Sequence, residues 1–238
     1  MKTWTKAACL TLCAGLLVSG VAAGFAGKDD DAKKKAQPPA GDKPAGGEDP
    51  MMAAMMEMSK PVAEHEIIKN FAGSWDAEVK MWMDPSAKEP TVSKGKMKGT
   101  QLHGGRYLLG EFSGDFSGMP FSGTLMWGYN RVESRYESTW IDSFGTGILM
   151  ATGKATADGK GVESTGTFRM PGPDGKTLME ITQREKTVMV SKDKYTLEMW
   201  HTMKGQGETK VMEITYTRAA AAAPGAAGAG ITMPPKAH

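Results

Sequence analysis

From Ser74 onward, apolar residues fall on every second position. In "SWDAEVKMWM" the side chains of Trp75, Ala77, Val79, Met81 and Met83 share one face, and Asp76, Glu78 and Lys80 take the other. A period of two marks a strand with one buried face, because successive side chains point to opposite sides of a sheet. Turn chemistry breaks the alternation at short intervals, at "HGG", "SGMP", "YN", "SFG", "ADGKG", "PGPDG", "SKDK" and "MKGQG", and it runs on to "KVMEITYTR". About ten strands result. No long helical period interrupts them, which argues against a βαβ enzyme fold, and closing the sheet removes the bare edges of an open meander. The expected fold class is therefore all-β, an antiparallel up-and-down β-barrel of residues 61–218. Ahead of it, "PVAEHEIIKNFAG" sets Pro61 at a helix start, Val62, Ile67, Ile68 and Phe71 at helical spacing, and Gly73 as a stop, which predicts one short N-terminal helix.

The flanks read differently. Residues 1–26 carry Lys2 and Lys6, an apolar run from Ala7 to Val18, and small residues around Ala23 and Ala26. That layout predicts a signal peptide cleaved after Ala23 or Ala26, and the run falls short of the ~20 residues a membrane span needs. Leu12 ahead of Cys13 disfavours lipid anchoring, since lipoprotein signals carry a small residue there. An exported protein, periplasmic or secreted, is expected, with no transmembrane span in its mature form. Residues 27–60 and 219–238 are rich in Ala, Gly, Pro and mixed charge without apolar period, and read as a disordered linker and tail. Within the linker, "MMAAMMEM" groups five methionines; a frayed helical turn is its plain reading and a Cu(I) site the alternative.

Composition narrows the chemistry. Both cysteines, Cys9 and Cys13, lie in the leader, so the mature domain has no thiol for disulfides, thiolate metal sites or nucleophilic catalysis. A net charge of +2, with both signs interspersed, gives no nucleic-acid surface. "HEIIK" begins like a zinc-peptidase helix, but Lys69 stands where the second His must be. "PDGKT" and "GTGILM" lead into strands rather than the helix N-terminus that phosphate binding needs. "YESTWIDSFGTG" reads as a strand, a turn at "DSFG" and a returning strand.

Gly73-Ser74-Trp75 opens the first strand and "ITYTR" closes the last with Arg218. This pairing resembles the calycin, or lipocalin-like, barrels, in which a Gly-x-Trp packs under an Arg of the last strand. With "FAGSWDAEVKMWMDP", "HGGRYLLGEFSG", "GMPFSGTLMWGYN", "YESTWIDSFGTGI" and "MEITYTR", the chain from about residue 64 to Arg218 is similar to the bacterial domain of unknown function 1579 family. The resemblance implies a β-barrel and supplies no activity.

A lipocalin-like barrel either packs its interior or holds one small ligand. Four alternating sets are candidate lining: Trp75, Val79 and Met81; Phe121, Leu125, Trp127 and Tyr129; Tyr136, Trp140 and Asp142; Tyr195, Leu197, Met199 and His201. The expected ligand-binding residues are Arg106, Trp127, Trp140, Asp142 and His201. Arg106 follows two turn glycines; pointing inward it would bind an anion, and outward it needs nothing. Asp142 beside Trp140 is either a general acid or base or a turn former. His201 is either a core histidine or, as in the haem-binding nitrobindin barrels the strand count also resembles, an iron ligand. No catalytic pair and no cofactor is identified. A binding module for a small apolar or amphipathic ligand leads, ahead of a packed structural envelope protein and an enzyme built on Asp142.

Overall fold

The computed structural model describes residues 49–220 except 85, 86 and 117. The expected leader, linker residues 27–48 and the tail beyond 220 lie outside the described residues. Two compact units are present: the barrel unit of Lys60–Met170 with Leu178 onward, and a unit holding the first helix and the segment Pro171–Thr177. In the latter, α1 (Pro50–Met58) is a nine-residue helix where the sequence suggests one frayed turn. Asp49 accepts from the Met51 amide and Pro50 fills the first turn, while Ala, Met and Glu are strong helix formers. Its five methionines are all exposed. In the segment Pro171–Thr177, Asp174 accepts from the amides of Lys176 and Thr177, closing a tight turn.

The barrel unit begins with α2 (Ala63–Lys69), capped at Val62, so Pro61 lies one residue outside the cap rather than in the first turn. Ten strands follow: β1 (Gly73–Met81), β2 (Thr91–Leu102), β3 (Tyr107–Phe116), β4 (Met119–Asn130), β5 (Arg135–Asp142), β6 (Leu149–Ala155), β7 (Gly161–Pro171), β8 (Leu178–Ser191), β9 (Lys194–Met203) and β10 (Thr209–Arg218). Each pairs with its neighbours in sequence, and β1 closes on β10. The closing register runs from Trp75 opposite Arg218 to Met81 opposite Met212. One expected boundary moves: the β5–β6 connection spans residues 143–148, so "TGI" belongs to the loop and the returning strand starts at Leu149.

The two ends differ. At one end α2 turns its buried face, His65, Ile68 and the following Phe71, into the barrel. Gly99 makes this crossing feasible, because a Cβ there would stand 2.5 Å from the Phe71 carbonyl oxygen. The Tyr136 hydroxyl donates to the Glu64 carbonyl at 2.9 Å and the Trp75 indole to the Phe71 carbonyl at 3.0 Å, tying helix to barrel. Above Trp75 lies the Arg218 guanidinium, 4.0 Å from the ring centroid, the contact the Gly-x-Trp and Arg pairing predicts. Gly73 is required there twice over: its φ is +116°, and a Cβ would sit 2.6 Å from Arg218 Nη1. At the opposite end, bounded by Met81, Asp142, Leu149 and Met203, no helix is found among the described residues of the barrel unit.

Candidate functional site: the barrel interior

The four predicted lining sets do point inward. Trp75, Trp127, Tyr136 and Tyr195 are buried toward the α2 end, in an aromatic floor, and Val79 is buried nearer the other end. Tyr195 stacks on Tyr216 with centroids 4.2 Å apart and meets Trp75 edge-on at 4.7 Å, and Phe71 packs on Trp127 at 5.2 Å. Other inward residues, Met81, Leu125, Trp140, Leu197, Met199, His201 and Met212, are only half-buried, while Ile181 and Gln183 beside them on β8 are buried. An inward residue that keeps solvent contact borders an internal space. That space includes a cavity of about 40 Å³ whose wall contains Phe71, Leu108, Leu125, Trp127, Thr187 and Leu197. It has room for a few waters or a small apolar group.

The predicted site residues occupy separate parts of this cup. Trp127 lines the cavity. Trp140 and Asp142 are bound to each other: the indole donates to Asp142 Oδ2 at 2.9 Å, while Asp142 Oδ1 accepts from the Phe144 amide at 2.8 Å. Both carboxylate oxygens thus shape the strand end and its loop. Gly123, opposite Asp142, leaves room for the indole, since a Cβ there would stand 2.2 Å from Trp140 Cζ2. Arg106 sits at the α2 end, away from Asp142 and His201, and its guanidinium turns back onto the His103 carbonyl at 2.7 Å. His201 lies on the inner wall of β9, with Nε2 3.2 Å from Gln183 Oε1 and its ring edge-on to Phe168 at 5.6 Å. Burial lowers its pKa from the usual histidine value, which keeps the ring neutral near pH 7. An iron ligand at His201 would have to displace Gln183 from Nε2.

The sequence reading missed the polar centre of the wall. On β8 the inward residues are Ile181, Gln183, Glu185, Thr187 and Met189, paired in turn with Met203, His201, Met199, Leu197 and Tyr195 of β9. Glu185 Oε1 accepts from the Ser164 hydroxyl at 3.0 Å, and Oε2 lies 3.5 Å from Gln183 Nε2. Burial pushes the Glu185 carboxyl above its usual range against these two hydrogen bonds. Glu185 also retains solvent-accessible surface, so it is deep in the barrel and yet borders the cup. The Tyr216 hydroxyl is pushed upward too, first by burial and then by the Glu185 charge. A clue was present in the sequence, because Glu185 shares its parity with the apolar Ile181 and Met189.

Residues 60–218 match the family described as "Protein of unknown function (DUF1579)". The chain belongs to this family. No curated protein matches the DUF1579 chain. Among solved structures it is similar to Rv2717c from M. tuberculosis, with a TM-score of 0.46 and 14% identity over 68% of this chain and 100% of that one. It is also similar to the S-type phycobiliprotein lyase CPES from Guillardia theta, with a TM-score of 0.45 and 11% identity over 71% of this chain and 98% of that one. Among the described residues no helix is long and apolar enough to cross a membrane.

Proposed function

We propose that this DUF1579 protein is an exported binding module whose barrel holds a small apolar or amphipathic molecule. The observation that carries the reading is a set of apolar inner-wall residues, Leu125, Trp140, Leu197 and Met212, that stay half-buried although the aromatic floor beneath them is fully buried. A solvated apolar wall is costly, and covering it with a ligand recovers about 25 cal/mol for each Å² of apolar surface removed from water. Trp127 and Trp140 supply apolar surface, while Asp142 and His201 stand toward the open end; Arg106 belongs to the structure of the α2 end. Export rests on the basic, apolar and small-residue layout of residues 1–26, and N-terminal sequencing of protein from an envelope fraction tests it.

The cavity of about 40 Å³ favours the second reading, a packed envelope protein without a ligand. Titration with N-phenyl-1-naphthylamine, an uncharged apolar dye, separates the two. A ligand-binding barrel gives saturable, blue-shifted emission that Leu197→Trp removes by filling the cavity, and native mass spectra of protein from its own host carry an additional small mass. No saturable binding, together with spectra free of any bound mass, leaves the packed barrel.

A further inference from the structure

The inner wall has a polar layer directly above its apolar floor. Thr187 and Leu197, opposite each other on β8 and β9, line the cavity. One row nearer the open end stands Glu185, and one row beyond it Gln183 opposite His201. With the imidazole proton on Nε2, hydrogen bonds run from His201 to Gln183 Oε1 and from Gln183 Nε2 to Glu185 Oε2, while Ser164 donates to Glu185 Oε1. Two donors of this layer, Ser164 and Gln183, therefore point at one carboxyl group, and His201 holds Gln183 in place. One of its two hydrogen bonds is long, at 3.5 Å, whereas an ionised carboxylate offers about four acceptor positions. No ion pair to Glu185 is found among the described residues, although the outer face of the same strand pairs Arg184 with both Glu163 and Glu208. A carboxyl placed in an apolar cup without a cation is costly unless something brings the opposite charge.

We infer that the β7–β9 wall is a headgroup site for an organic cation, a primary amine on a short apolar tail, with Glu185 as counter-charge and Gln183 and His201 beside it. This rests on the reading of the barrel as a ligand-binding cup and adds the chemical class of the ligand. The tail lies over Thr187, Leu197 and the aromatic floor, and the ammonium reaches the free acceptor positions of Glu185. His201, held neutral by burial, adds no competing positive charge. Asp142, the other inward carboxylate, stands at the end of β5 and takes two shorter hydrogen bonds, from the Trp140 indole at 2.9 Å and the Phe144 amide at 2.8 Å.

The test is competition against bound N-phenyl-1-naphthylamine by hexylamine, hexanol and hexanoate at pH 7.5, using the full chain and Glu185→Gln and Glu208→Gln variants. The expected result is a preference for hexylamine over both others of roughly tenfold or more, the scale of one well-placed charge pair. Glu185→Gln reduces that preference to under about threefold, each protein being read against its own dye affinity, and Glu208→Gln on the outer face leaves it intact. Equal displacement by amine and alcohol, stronger displacement by hexanoate, or an amine preference that survives Glu185→Gln overturns the inference and leaves the cup reading standing. Failure of the dye itself to bind overturns both. A cooperative thermal melt of Glu185→Gln serves as the control for folding.

Discussion

Arg218→Ala removes the clasp between the last strand and the first. In the native barrel the guanidinium lies 4.0 Å from the Trp75 ring centroid. Its Nε and Nη2 donate to the Lys192 carbonyl at 3.1 and 2.8 Å, and Nη1 donates to the Ala72 carbonyl at 3.3 Å. Asp193 Oδ1 adds an ion pair at 3.2 Å, across a side chain 36% exposed. Stacking on an indole contributes about 1 kcal/mol. Hydrogen bonds from a charged donor contribute about 1.5 kcal/mol at the low end suited to a part-exposed group, and an exposed ion pair adds well under ~1 kcal/mol. The expected loss is about 3 kcal/mol, which for a domain of this size lowers Tm by roughly 6–12 °C. Arg218→Lys keeps the charge but not the planar fork that serves two carbonyls and a ring together, so it recovers less than half of that loss. Equilibrium urea unfolding followed by tryptophan emission measures both variants, with the slope against urea unchanged if only the native state is affected. A loss below ~0.5 kcal/mol for Arg218→Ala, or a lysine variant as stable as wild type, refutes the closure argument and makes Arg218 an ordinary surface residue.

Gly123→Ala places a Cβ where the Trp140 ring lies; displacing the indole from Asp142 is expected to cost about 1–3 kcal/mol in urea unfolding and to shift tryptophan emission. Tyr136→Phe removes the hydrogen bond to the Glu64 carbonyl and is expected to cost about 1 kcal/mol, with faster amide hydrogen exchange confined to α2. The Tyr136 hydroxyl, pushed up to about 12 chiefly by burial, stays protonated until strongly alkaline pH, and ultraviolet titration reads this directly. For Glu185→Gln the sign follows from burial raising the native-state pKa. The native state then binds more protons than the unfolded chain between the unfolded and folded pKa values, so wild-type stability falls as pH rises through that window. Thermal melts of the two proteins should therefore coincide at low pH and separate with rising pH, the variant becoming the more stable; a gap that stays constant with pH defeats the assignment.

The barrel was legible where its strands carry one apolar and one polar face. In β1, Trp75, Ala77 and Val79 alternate with Asp76, Glu78 and Lys80, so a single register buries the first set, and a slip by one residue would bury charges instead. β9 is legible for a related reason, because Tyr195, Leu197 and Met199 share parity and extend it to His201. Loop geometry was less legible. The "SFGTG" stretch contains enough turn residues to end a hairpin in several places, and Asp142 fixes the choice by holding the Phe144 amide and the Trp140 indole at once, an arrangement set by β4 packing against β5. Arg106 shows the corresponding limit for a charged residue. Its parity with Leu108 and Phe112 is inward, but it stands in the turn before β3, where a flexible side chain can fold back onto the His103 carbonyl instead of entering the barrel.

The polar wall was hidden for a specific reason. β8 reads "ITQREKTVMV" in its middle, with Thr182, Arg184 and Lys186 facing out while Gln183, Glu185 and Thr187 face in, so both faces are polar and no hydrophobic alternation distinguishes them. Orientation comes instead from the neighbours. Met189 pairs with Tyr195 and Ile181 with Met203, and these apolar pairs at the two ends of the strand carry the residues between them inward. Outside, Arg184 lies 3.8 Å over the Trp200 ring between Glu163 and Glu208, so the outward charges are stacked and paired. The inward carboxyl has only neutral partners, Ser164 and Gln183. The same strand thus satisfies its charges on one face and leaves one without a counter-charge on the other, and the face left incomplete is the one that borders the cup. A strand selected for packing alone would gain by carrying an apolar residue at position 185, since a buried charge replaced by a well-packed side chain is often neutral or stabilising. Retaining a carboxyl there makes sense when a molecule entering the cup supplies the missing charge.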